Sequence, residues 1–143
     1  MPKDVFVDNN VAKNFCNPVD RNYKDFIKWL IEDGHLVVTN KIICEYVSST
    51  GGSPSATNII AIMDRLTRDG RLIKFSQQQL DYFAFSKRIE KALRSNRKDH
   101  AHIKAVLLSN RKLALSLDEN FRYDVNNFPG HHAIARERPE EIN

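Results

Sequence analysis

Apolar positions along this chain follow two rhythms. Val5-Phe6-Val7, Leu36-Val37-Val38 and, within Lys112–Asp118, Leu113-Ala114-Leu115 run without polar alternation, the pattern of strands covered on both faces. Arg71-Leu72-Ile73-Lys74-Phe75 is less continuous and predicts a strand near an edge, and His132–Arg136 predicts the last strand. Between these runs, apolar residues recur at helical spacing. A short helix or turn is expected from Asn10 to about Asn17. Asp20 is the expected N-cap of a helix over about Arg21–Asp33, with Tyr23, Phe26, Ile27, Leu30 and Ile31 inward and Gly34 as its stop. Asn40 is expected to cap a helix over Lys41–Val47, and Ser53-Pro54 to open one marked by Ile59, Met63 and Leu66. Ser76 and Gln79 fit a capping box that opens a helix carrying Leu80, Phe83, Ala84 and then Ile89 and Leu93 inward. A further helix is expected over about Arg97–Ser109.

Five strands separated by helices predict an α/β fold with a mostly parallel sheet, since right-handed crossovers place successive strands side by side in one direction. The 143 residues, 41% hydrophobic and 28% charged, suit one domain spanning residues 1–143, with a core over about 5–136 and a charged tail from Glu137. No apolar run approaches the roughly 18 residues of a membrane span. Cys16 and Cys44 have neither redox-pair nor zinc-site spacing, so reduced thiols in a cytoplasmic protein without membrane contact are expected. The connector Ser48–Ser53 lacks the Gly-Lys-Ser/Thr of a phosphate loop. A formal charge of +4 favours a polyanionic partner without identifying one.

Acids stand where several of these runs stop. Asp8 follows the first strand and Asp118 ends Lys112–Asp118, and the carboxyl ends of parallel strands border the crevice where open α/β sheets bind ligands. Glu45 lies three residues after Ile42, beside the core-facing stripe of its helix. Asp99 shares the sheet-facing side of its helix with Ile103 and Val106. Each has a structural reading too: Asp8 as a helix cap, Glu45 as a surface acid, Asp99 as a partner of the helix dipole. Taken together, four carboxylates suit a hard divalent ion, Mg²⁺ or Mn²⁺. Lys87, Lys91, Arg94 and Lys98 recur at helical spacing just before Asp99. They read either as a guide for a phosphate backbone or as a solvated face with a Glu90–Arg94 pair.

Four segments carry a resemblance. Val5-Phe6-Val7-Asp8-Asn9-Asn10-Val11, Cys44-Glu45-Tyr46, Asp99-His100-Ala101-His102-Ile103 and Ala114-Leu115-Ser116-Leu117-Asp118-Glu119-Asn120-Phe121 resemble, in type, order and spacing, the acidic motifs of PIN-domain ribonucleases. The resemblance implies a three-layer α/β/α fold whose five strands lie in the order 3-2-1-4-5. It also implies an endoribonuclease that cuts single-stranded RNA with Mg²⁺ or Mn²⁺. Asp8, Glu45, Asp99 and Asp118 would be the catalytic, metal-binding acids, with Asn10 and Ser116 orienting them. Small members of this family are commonly the toxin of a toxin–antitoxin pair, which implies an antitoxin protein as partner and a homodimer. Asn9 replaces the usual Ser or Thr, and Asn120 stands where many members carry another Asp. Those departures support the alternative of a PIN-like module that binds RNA or protein without cutting.

Overall fold

Strands β1 (Asp4–Val7), β2 (His35–Thr39), β3 (Leu72–Phe75), β4 (Leu113–Leu115) and β5 (Ile134–Arg136) form one sheet in the order β3-β2-β1-β4-β5. Every pairing is parallel, and Phe6 stands opposite both Val37 and Ala114. The structure is a computed structural model describing residues 3–15, 20–52 and 58–142. The continuous apolar runs do mark the dry strands: β1 and β4 are buried throughout, whereas β3, at one edge, exposes Lys74. Helices α1 (Asn9–Ala12), α2 (Arg21–Glu32), α3 (Asn40–Thr50), α4 (Ile59–Arg68), α5 (Gln77–Tyr82), α6 (Lys87–Ala92), α7 (His100–Leu108) and α8 (Glu119–Asn126) complete a three-layer α/β/α arrangement. Among the described residues no helix is long and apolar enough to cross a membrane.

Several boundaries differ from expectation, each for a local reason. α1 stops at Ala12, short of Asn17, which lies outside the described residues. Thr39, not Asn40, caps α3, because its Oγ1 accepts the Ile42 N–H at 3.1 Å while its β-branched body still fits the strand. That helix runs past Val47 into the supposed connector. The Ser49 and Thr50 hydroxyls bond to the Tyr46 carbonyl, and Gly51, at φ 76°, supplies the left-handed terminus. The Ser53-Pro54 start lies outside the described residues; α4 is capped by Asn58, which accepts the Ala61 N–H at 2.9 Å. Gly34 sits tightly against the helix before it: a Cβ there would meet the Leu30 Cα at 3.0 Å.

The single helix expected from Ser76 to Leu93 is two. The Ser76–Gln79 capping box is present, but the chain leaves helical geometry at Phe83 and Ser86 caps a new start. Phe83 and Phe85 turn into a ring cluster with Phe128 and His131, with centroids 5.2 to 6.4 Å apart. Burying large aromatic surface outweighs the few tenths of a kcal/mol per residue that helix propensity offers. The basic stripe is therefore interrupted. Lys87 and Lys91 are on α6, Arg94 lies beyond its end with its guanidinium 3.4 Å above the Tyr123 ring, and Lys98 sits in a 3₁₀ turn, Arg97–Asp99. Glu90 pairs with Arg97 rather than with Arg94. The charged tail is docked: Pro139–Ile142 form a 3₁₀ turn with Pro139 and Ile142 buried against α2, and Arg138 bonds Asp20 at 2.7 Å.

Candidate metal centre

The central pair of strands sets the frame. Asp8, one residue past β1, gives its N–H to the Leu115 carbonyl at 2.9 Å, and Ser116 gives its own to Arg136 at 3.0 Å, so both positions extend the ladder. Asp8 does serve as a cap, its Oδ1 accepting the Asn9 N–H at 2.8 Å. Its Oδ2 accepts from the Ser116 hydroxyl at 2.7 Å and from Asn10 Nδ2 at 3.4 Å. An ionised carboxylate has about four lone-pair sites, so these bonds leave room for a cation.

The loop after β4 is tied to the end of β1 by the same residues. Ser116 Oγ accepts the Asp118 N–H at 3.0 Å, and Asn10 Oδ1 accepts the Leu117 N–H at 3.0 Å. These hydrogen bonds hold Asn10 and Ser116 against both Asp8 and the loop that carries Asp118. Strand β4 itself stops at Leu115, three residues short of Asp118, which caps α8 through the N–H groups of Asn120 and Phe121. Phe121 fills the core, as its position after the acid suggested.

Glu45 lies in the second turn of α3 and presents Oε2 to His102 Nε2, on α7, at 2.7 Å. His102 is 2% exposed, with its ring 5.2 Å from that of Phe6. Beneath them Tyr46 is fully buried and donates its hydroxyl to the Val7 carbonyl. Asp99, where the 3₁₀ turn meets α7, makes no capping hydrogen bond.

All four sequence-predicted acids border one cleft of about 510 Å³, together with Asn10, His102, Lys13, Lys41 and Lys98. Ligand atoms of Asp8, Glu45 and His102 lie within 4.8 Å of one another, and this group could hold a metal ion. Asp99 and Asp118 line the cleft outside that tight group. Of the basic residues singled out, only Lys98 reaches the cleft. His102 was not among the expected site residues. Its signal was a polar residue set between Ala101 and Ile103 in an otherwise buried run, three positions past Asp99.

The charges are unevenly settled. Burial pushes the Asp8 carboxyl above its ordinary value, against the pull of the Ser116 hydroxyl, the neighbouring His102 imidazole and the Asn9 N–H. Burial acts on Glu45 as well, but the His102 hydrogen bond, with the charges of Lys41 and Lys98 nearby, holds it below the usual range. Desolvation first, then Asp8 and Glu45, pushes the Tyr46 hydroxyl well up. A cation beside Asp8 would stabilise the charged form that burial opposes, as a metal ion held by this group would.

A cavity of about 570 Å³ flanked by α6 and α8 is largely apolar, lined by Ile89, Leu93, Tyr123 and Phe128. Its one acid, Asp124, is 3% exposed and already accepts the N–H groups of Arg94 and Ser95 and the Ser95 hydroxyl. Compared with protein-family models, curated proteins and solved structures, the chain gives no match.

Proposed function

We propose that this chain is a metal-dependent endoribonuclease of the PIN type, cutting single-stranded RNA in the cytoplasm with Mg²⁺ or Mn²⁺. The observation that carries the reading is the convergence of Asp8, Glu45, Asp99 and Asp118, drawn from four separate elements, on one cleft. Asp8 and Glu45 would hold the ion, and Asp99 and Asp118 would complete its surroundings or meet a second one. When bound, such an ion supplies Lewis-acid assistance to phosphodiester hydrolysis. Ser116 and Asn10 fix the Asp8 carboxylate, and Lys13, Lys41 and Lys98 give the cleft a positive rim for the RNA backbone. Toxin activity, restraint by an antitoxin protein entering the cleft, and a homodimer follow from the family resemblance and belong to the same proposal.

The test is cleavage of labelled single-stranded RNA with Mn²⁺ by wild type, Asp8→Asn and Asp118→Asn. Loss of roughly 100-fold or more in either variant supports the reading, in line with the contribution of a single metal-centre group. Equal cutting by all three proteins removes it. A second reading, an RNA- or protein-binding module that does not cut, is kept alive by the two acids outside the tight group and by Asn9, whose Oδ1 accepts from the Ser49 hydroxyl at 2.9 Å. Retained RNA with no cleavage in Mg²⁺ or Mn²⁺ would favour it.

A further inference from the structure

His102 could enter a metal centre in two ways, as a ligand or as a support for Glu45. Its ring is buried, Nε2 lies 2.7 Å from Glu45 Oε2, and Nδ1 has no hydrogen-bond partner among the described residues. A carboxylate only accepts, so the imidazole proton at this contact sits on Nε2. Histidines that bind a metal through one ring nitrogen give the N–H of the other to a carboxylate, a carbonyl or water, and that bond sets their tautomer. Ligation by Nε2 here would give up the bond to Glu45, move the proton to Nδ1 and leave a buried donor with no acceptor among the described residues.

We propose that His102 is a positioning residue: its Nε2–H holds Glu45 Oε2, Glu45 Oε1 is left to ligate, and the ion at this centre is bound by oxygen atoms alone. The claim rests on the metal-dependent reading only for the presence of the ion. Glu45 is a long, half-exposed side chain with several rotamers, and the bond to a ring locked beside Phe6 removes that freedom before an ion arrives. An all-oxygen set suits the hard ions Mg²⁺ and Mn²⁺ and withholds the imidazole ligand that suits Zn²⁺.

The experiment is pulsed EPR and Mn²⁺ titration on the full chain, with wild type, His102→Gln and His102→Ala, each checked for folding by circular dichroism. Bound Mn²⁺ is expected to show no directly coordinated imidazole nitrogen. His102→Gln, whose amide N–H can replace the donor, should keep Mn²⁺ affinity within about threefold, whereas His102→Ala should lose about 10- to 100-fold. A coordinated-nitrogen coupling overturns the proposal, as does a Gln variant as impaired as the Ala variant, or a wild type that binds no Mn²⁺ at millimolar concentration. If the Ala variant does not fold, the EPR signal and the Gln titration decide. A protein that binds Mn²⁺ without nitrogen coupling yet leaves RNA intact keeps this inference and loses the nuclease reading.

Discussion

The Ser116 hydroxyl donates to Asp8 Oδ2 at 2.7 Å and accepts the Asp118 N–H at 3.0 Å, so one buried oxygen ties the acid after β1 to the acid that begins α8. Ser116→Ala removes both bonds and leaves a backbone donor without its acceptor. The expected loss is about 1–3 kcal/mol in urea unfolding, with weaker Mn²⁺ binding. Unchanged Mn²⁺ affinity in this variant would show that Asp8 needs no such support.

The clamp between Asp20 and Arg138 should give a pH-dependent stability. The Arg138 hydrogen bond, then the Tyr23 N–H, hold the Asp20 carboxyl below its ordinary value. A depressed folded-state pKa contributes stability that is complete above the unfolded value, about 4, and is lost as pH falls through the folded one. Asp20→Asn keeps a good N-cap while removing the charge. Its melting temperature should lie below wild type near about pH 6, and the gap should narrow as the pH falls below about 4. A constant gap across that range would assign the effect to something other than the ion pair.

Asp124 pins the segment that leads into Asp99. It is buried and accepts the N–H groups of Arg94 and Ser95, at 2.8 Å each, together with the Ser95 hydroxyl. Asp124→Ala leaves these donors unpaired and should cost about 2–4 kcal/mol. Hydrogen exchange at the Arg94 and Ser95 amides should accelerate more than in the β1 amides. Equal acceleration everywhere would mean global rather than local loosening.

RNA binding, if it follows the cleft, should depend on Lys98 more than on Lys87, because only Lys98 lines it. Removing one lysine–phosphate pairing on a single strand lowers the slope of log affinity against log salt by about 0.7. Lys98→Ala should show that change and Lys87→Ala much less. Equal effects would place the RNA along α6 instead.

Much of the frame was legible because its signals are local. Val5-Phe6-Val7 and Leu113-Ala114-Leu115 announce buried strands by their own continuity, and Asp20 and Ser76 announce helix starts by their own side chains. What escaped depends on partners far away in sequence. Phe83 abandons its helix for Phe128, 45 positions later, and Glu45 meets a histidine 57 positions on. Thr39 was overlooked as a cap because a strand residue can finish its sheet and begin the next helix with the same side chain. That four acids border one cleft could be anticipated from the strand and helix ends near which they stand; how tightly they group could not, since that depends on how α3 and α7 pack near β1.

Residues 8 and 116, joined side chain to side chain, are 108 positions apart. Synthesis from the amino end therefore delivers β1 long before its neighbour β4 leaves the ribosome. A nascent polypeptide can close the β1–β2 pair early, yet the centre stays incomplete until β4 and the start of α8 have been translated and have folded back beside the first strand. Whatever chemistry the cleft performs begins only once β4 has taken its place beside β1.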